Sequence, residues 1–282
     1  MSYDLILGDR AYSSWSLRGW LLFEAFAIAV KTRYVQFHDA SVAEQLTAHA
    51  PAQTVPTLVT PEGAVIGDSL AIAEELATRH PDAGIWPSNP LARATARSLA
   101  AEMHSGFGAL RNDCPMNLRC AYSSYAAPDA VQADTFRIDT IWNHALNRFG
   151  RPWLCGGYSA ADAFYAPVAA RIAGYGLAMS GAAQAYVDRH LADPAFRRWR
   201  AMAIVEGPDL ARYARGHDQT DWSGPPPRLA QAVRSGPSEN ATALIPASLS
   251  PISWKRTGGS SVSATPSAAT KPWPTPMPGR NS

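Results

Sequence analysis

Along the first eighty residues the apolar positions change period several times. Residues 3–8 (YDLILG) form a short apolar run of strand length. From Ser14 or Ser16 the spacing turns helical, with Leu17, Trp20, Leu21 and Ala25 at i, i+3, i+4 and i+8. Residues 32–37 (TRYVQF) alternate and are β-rich, so they predict a second strand. A short helical or irregular piece follows over 42–49. Residues 55–60 (VPTLVT) predict a third strand opened by a proline, and 64–66 a short fourth one after the turn at Glu62-Gly63. Residues 68–79 form an amphipathic helix carrying Leu70, Ile72, Ala73 and Leu76. Three prolines and one glycine in 80–90 read as a linker. The order β-α-β-(α)-β-β-α is that of a small α/β domain. Everything after it is helical: 91–110, 128–149, 162–177, 184–191 and 194–203, with Val131, Phe136, Ile138, Ile141, Trp142 and Leu146 marking the second of these.

Composition changes the picture near residue 223. The last 60 of the 282 residues hold 11 prolines and 11 serines, with Glu239 their one acidic residue against six basic ones. That segment carries +5 and the remainder −3, so the formal charge of +2 describes neither part. Such a Pro/Ser-rich stretch cannot fill helices or central strands and reads as disordered, with Trp254 and Trp273 isolated in it. The chain therefore divides into an α/β domain over 1–82, a linker over 83–90, an all-helical domain over 91–215 and a disordered tail over 216–282.

Several function classes drop out. Near-neutral charge leaves no electrostatic footprint for a nucleic-acid partner. The apolar stretch 20–30 is broken by Glu24 and stopped by Lys31, too short to cross a membrane. The N-terminus lacks the basic and apolar regions of a secretory signal. Cys114, Cys120 and Cys155 are odd in number and widely spaced, which fits reduced thiols in a cytoplasmic protein. The seven histidines have no HxxxH spacing, and no metal is expected.

Four landmarks then occur in order: SSWSLR at 13–18, TVPTL at 54–58, GDSLAIAEEL at 67–76 and GGYSAADAFYAP at 156–167. Over roughly residues 3–215 the chain resembles the cytosolic glutathione S-transferases. SSWSLR is similar to the SSxSxR signature of their zeta class, whose best-known members act as maleylacetoacetate isomerases. The resemblance implies a thioredoxin-like N-terminal domain followed by an all-α domain, glutathione as co-substrate, a homodimer and a role in detoxification. The zeta pattern has Cys where this chain has Trp15, and Gln where it has Thr54 and Asp68.

Each requirement of that chemistry has a candidate. A free thiol has a pKa near 8.5, so a transferase must stabilise the thiolate of glutathione. Ser13 and Ser14 lie where strand gives way to helix. A hydroxyl there can donate to the sulfur while the helix N-terminus adds partial positive charge. Helix capping is the competing role. Ser13 matches the first serine of the signature and is the expected catalytic residue, with Ser14 as the second candidate and as a glutathione contact. The resemblance implies a cis Val55-Pro56 bond, with the Val55 backbone pairing to the cysteinyl unit beside Thr54. Asp68 and Ser69 start the next helix, where Asp68 suits the γ-glutamyl amino group and Ser69 with the helix N–H groups suits its carboxylate. Helix capping is again the alternative.

For the electrophile, Trp15, His104 and Arg111 are the candidate pocket residues. Asn112 could line the same cleft. Arg18 could face an anionic substrate or pair at the domain junction. Ser159 and Asp162 fit a capping box with Asp in place of Glu, so Asp162 is expected to be buried and structural. The expected activity is conjugation of the glutathione thiolate to small apolar electrophiles. The alternatives are cis–trans isomerisation of a conjugated diacid and a non-catalytic glutathione-fold binding protein. Thiol–disulfide exchange is excluded, because Ser13-Ser14-Trp15-Ser16 holds no sulfur nucleophile.

Overall fold

The computed structural model describes residues 2–225, except 39 and 151. Strand β1 (Tyr3–Leu7) runs through the centre of a four-stranded sheet of order β2-β1-β3-β4. It pairs in parallel with β2 (Val30–Tyr34) and antiparallel with β3 (Thr57–Val59), which pairs antiparallel with β4 (Val65–Ile66). Alternation along β1 divides the core. Leu5 and Leu7 face the main cluster, and Ile6 joins Val35 and Leu46 on the other side. Strand β2 lies two residues earlier than its alternation predicts. Its start and end are set by pairing Val30 with Tyr3 and Tyr34 with Leu7, and three of its five side chains remain exposed.

Helix α1 (Ser14–Glu24) packs beneath this sheet and is buried from Ser16 to Phe23. Gly19 allows it to lie against the third strand, because a Cβ there would stand 2.7 Å from the Pro56 ring. A short α2 (Val42–Gln45) and a 3₁₀ turn, Thr47–His49, cover the expected irregular piece, and α3 (Ser69–Arg79) completes the α/β part.

The helical part contains α4 (Pro90–Ser105), α5 (Gly108–Asp113), α6 (Asp129–Phe149), α7 (Ala160–Tyr175), α8 (Gly181–Ala192) and α9 (Pro194–Val205). The single helix expected over 91–110 is thus two. The break is a backbone event: Phe107 adopts φ 57° with its ring buried, and a Cβ on Gly106 would stand 2.7 Å from the Glu102 carbonyl. Helix α7 is the hub. Every residue in it except Ala173 is buried, and it contacts α1, α4 and α8.

Folding continues past residue 215, where the tail was expected to begin. A two-residue strand β6 (Gln219–Thr220) pairs with β5 (Ala121–Tyr122). His217 packs edge-on against Tyr122 and Tyr125, and the Arg200 guanidinium lies 4.4 Å above the Trp222 ring. The rest of the expected tail, with Trp254 and Trp273, falls outside the described residues. Among the described residues no helix is long and apolar enough to cross a membrane.

Candidate functional site

The β1–α1 loop, the start of β3 and the start of α3 converge on one cavity of about 620 Å³. Ser13, Ser14, Thr54, Val55, Pro56, Asp68 and Ser69 all line it, as do Trp15, Arg111 and Asn112. His104 is not among the lining residues. It stands behind the site, edge-on to Trp15 at 5.2 Å, with Nε2 3.3 Å from the Asp68 carboxylate. A second cavity of about 750 Å³ beside the linker contains none of the expected site residues.

The two adjacent serines have different roles. Ser13 is the N-cap of α1: its Oγ accepts from the Ser16 N–H at 3.3 Å and donates to Ser16 Oγ at 2.8 Å. Ser16 Oγ in turn accepts from the Gly8 N–H. Ser14 opens the helix, and its Oγ accepts from Arg171 Nη2 at 3.4 Å, leaving its own proton uncommitted. The β1–β3 ladder stops at Thr57, so Val55 stays outside it, next to the cis bond to Pro56. Thr54 ties this corner to α3 through a bond from Oγ1 to the Gly67 carbonyl at 3.2 Å. Asp68 caps α3, with Oδ1 accepting from the Leu70 and Ala71 N–H groups. Ser69 is 1% exposed, and its Oγ has no partner among the described residues.

Arg111 and Arg171 line the cavity, and Arg18 does not line it but lies beside Trp15. Arg171 is buried and donates to the Cys114 and Pro167 carbonyls as well as to Ser14. Arg18 is 1% exposed, with Nε and Nη1 unpartnered, and its guanidinium lies 4.5 Å from the Trp15 ring centre. Arg111 stands over the same ring at 4.9 Å. Among the described residues none of the three pairs with a carboxylate. Burial and the neighbouring Arg171 and Arg111 charges pull Arg18 down to about 9, and burial with the Arg111 charge pulls Arg171 down to about 10. Arg171 was missed in the sequence. The available signal was a single basic residue deep in a largely apolar helix, since α7 reads AADAFYAPVAARIAGY.

Tyr12, Phe37, Val42, Pro115, Met116 and Tyr213 also line the cavity. Tyr12 and Tyr213 stack with centroids 4.6 Å apart and planes 19° apart. Among the described residues no cluster of three or more His, Cys, Asp or Glu side chains is arranged to hold a metal ion.

Asp162 lies away from the cavity and is fully buried. Its oxygens accept from the Ser159 N–H and Oγ, the Leu154 N–H and the Tyr186 hydroxyl, forming the capping box of α7.

Residues 12–79 match the family model for the glutathione S-transferase N-terminal domain. A curated relative, a probable maleylacetoacetate isomerase of Caenorhabditis elegans, is 36% identical over 103 residues. That match covers 36% of this chain and 47% of the relative, so the chain spans about half the length of the curated relative it matches. Among solved structures, a glutathione transferase homologue from Burkholderia GL BGR1 with bound glutathione has TM-score 0.55 at 22% identity, covering 71% of this chain and 97% of its own. Glutathione transferase Omega 1C of Trametes versicolor has TM-score 0.56 at 18% identity, with 70% and 90% covered. At these identities the structures establish the fold, a thioredoxin-like domain followed by a helical one. The family model on the first domain, the curated relative over about a third of the chain and the fold through both domains agree in placing the chain's likeness among the glutathione S-transferases.

Proposed function

We propose that this protein is a glutathione transferase in which Ser14, rather than Ser13, donates to the thiolate. The observation that carries this reading is the division of labour between the two hydroxyls. Ser13 is committed to the α1 cap and to Ser16, whereas the Ser14 proton is uncommitted and its oxygen is already polarised by Arg171. Glutathione lies with its γ-glutamyl end at Asp68 and Ser69 and its cysteinyl unit along Val55, which points the sulfur at Ser14. The unpartnered Ser69 Oγ at the start of α3 supports a carboxylate there. The α1 N-terminus and the Arg171 charge add to the Ser14 hydrogen bond in favouring thiolate over thiol. The thiolate then forms a carbon–sulfur bond with the electrophile. In displacement the leaving group departs with its bonding pair, and in conjugate addition the resulting carbanion takes a proton from solvent. Glutathione bound to the Burkholderia homologue supports the ligand, and family habit supports a homodimer in the cytoplasm.

A second reading is favoured by Arg111 and Arg171, which line the cavity and pair with no carboxylate among the described residues. Two such guanidiniums suit a diacid, and the nematode relative is named as a probable maleylacetoacetate isomerase. Reversible thiolate addition to a cis-enoyl diacid gives isomerisation with no net use of glutathione.

The test measures the ultraviolet absorbance of bound glutathione thiolate against pH, with turnover on aryl halides and enoyl diacids, in native protein, Ser13→Ala and Ser14→Ala. The expected result is a thiol pKa below the free value of about 8.5 in native protein and Ser13→Ala, restored towards that value in Ser14→Ala. Loss in Ser13→Ala alone returns the role to Ser13. Glutathione binding without turnover on any electrophile supports a binding module. Diacid conversion at constant glutathione supports the isomerase.

A further inference from the structure

Helix α4 brings His104 from the helical part to the start of α3. Its Nε2 lies 3.3 Å from Oδ2 of Asp68. The ring is held on two sides. It stands edge-on to Trp15, with centroids 5.2 Å apart and planes at 83°, and tilted against Phe164 at 6.3 Å. His104 Nδ1 is buried and has no partner among the described residues. A proton on Nδ1 would be a buried donor with nothing to bond, so the ring proton belongs on Nε2, where it donates to Asp68. The two oxygens of Asp68 are then divided. Oδ1 accepts from the Leu70 and Ala71 N–H groups and caps α3, and Oδ2 meets His104. Asp68 lines the cavity beside Ser69, and its side chain is 49% exposed.

We infer that His104 is a positioning residue: acting through Asp68, it makes the site select peptides that carry a free γ-glutamyl amino group. This deepens the transferase reading and rests on its placement of the γ-glutamyl end at Asp68. With Oδ1 spent on the helix, Oδ2 is the oxygen left for an ammonium, and its lone pairs can accept from both the imidazole and the ligand. A half-exposed carboxylate held at one oxygen alone still trades its other oxygen among waters. A donor on a ring clamped by Trp15 and Phe164 fixes that oxygen before the ligand arrives, so the charge-assisted bond to the ammonium forms at lower entropic cost. A residue of the helical part thereby acts on the end of glutathione that carries no sulfur, and the hydrogen bond assigned to Ser14 is untouched.

Calorimetric titration of the full-length protein tests this with two probes, glutathione and glutaryl-cysteinylglycine, which lacks only the amino group. Native protein should prefer glutathione by about tenfold. His104→Phe keeps a ring against Trp15 and Phe164 and removes both nitrogens. It should weaken glutathione about fivefold and leave glutaryl-cysteinylglycine within about twofold. His104→Gln puts an amide donor near the Nε2 position and should restore most of the preference. If His104→Gln behaves as His104→Phe does, the donor is not what matters and the assignment falls. Equal weakening of both ligands in His104→Phe would make His104 a structural residue and overturn the assignment. Unchanged or tighter glutathione binding in that variant would overturn it as well, the latter by showing that His104 competes with the ammonium for Oδ2. If native protein binds the two ligands equally, the ammonium does not meet Asp68: the assignment falls and the transferase reading stands. If native protein binds no glutathione, the transferase reading falls and the assignment with it.

Discussion

Helices α1 and α7 both begin at a serine whose side chain serves the helix, and the two starts differ in what is left over. At α7 the polar groups of the motif close on one another: both oxygens of Asp162 accept two hydrogen bonds, and the Ser159 side chain is bound within the box. At α1 the cap is completed by Ser13 and Ser16, but the neighbouring Ser14 proton and two Arg18 nitrogens remain without partners, and across the cavity so does Ser69 Oγ. A buried polar group without a partner costs about 1–3 kcal/mol, so such a cluster persists where a ligand supplies the missing bonds. Capping motifs alone do not separate scaffold from site. Between these two helix starts, the unspent serine proton does.

Ser14→Ala removes a donor aimed at developing negative charge, and kcat/KM towards an aryl halide should fall about a hundredfold, as for loss of one such hydrogen bond. A fall below about threefold would place the donor elsewhere and erase the contrast between the two helix starts. Asp162→Asn puts an amide where four donors converge. Thermal or urea unfolding should show about 3 kcal/mol of lost stability, with the glutathione affinity of the folded protein unchanged. Burial outweighs those four bonds and raises Asp162 from 3.8 to about 6 in the folded state. Its protonated form is therefore the one that folding favours. The contribution of Asp162 should be greatest below about pH 3.8 and fall as pH rises to about 6, narrowing the stability gap between native protein and Asp162→Asn across that window. A gap that widens with pH would mean that the charged form is the one stabilised.

Ser13→Ala should cost about 1 kcal/mol of stability through the lost cap, with turnover close to native once the loss of folded protein is allowed for. Ser69→Ala is the mildest test. Its hydroxyl has no partner among the described residues, so stability should stay within about 0.5 kcal/mol while glutathione affinity drops about fivefold. If both serine variants behave alike, spent and unspent hydroxyls are not distinguishable here.

The convergence of the expected residues on one cavity was legible because its parts are local. Ser13–Arg18, Thr54–Leu58 and Gly67–Leu76 each pack their polar residues into a single loop-to-helix or loop-to-strand junction, so chain order was enough to name them. The difference in hydrogen bonding between Ser13 and Ser14 was not legible, since the partner of Ser14 is Arg171, 157 residues away. His104 has the right type and neighbourhood but its ring is held behind Trp15 and Asp68, a matter of side-chain packing that helical spacing does not encode. The helix break at Gly106–Phe107 escaped because Ala-rich sequence continues the period on either side, while the left-handed Phe107 is held by burial of its ring. Tyr213 escaped because a half-buried tyrosine in a loop has no pattern of its own.

The segment after α9 also sets an order of assembly. Tyr12, beside Ser13 and Ser14, waits 197 residues for Asp209. At about 5–20 residues per second, that interval is roughly 10–40 s. The β1–α1 loop is therefore finished long after it is made. A nascent chain stalled before residue 206 should hold a sheet and helices but an incompletely anchored β1–α1 loop.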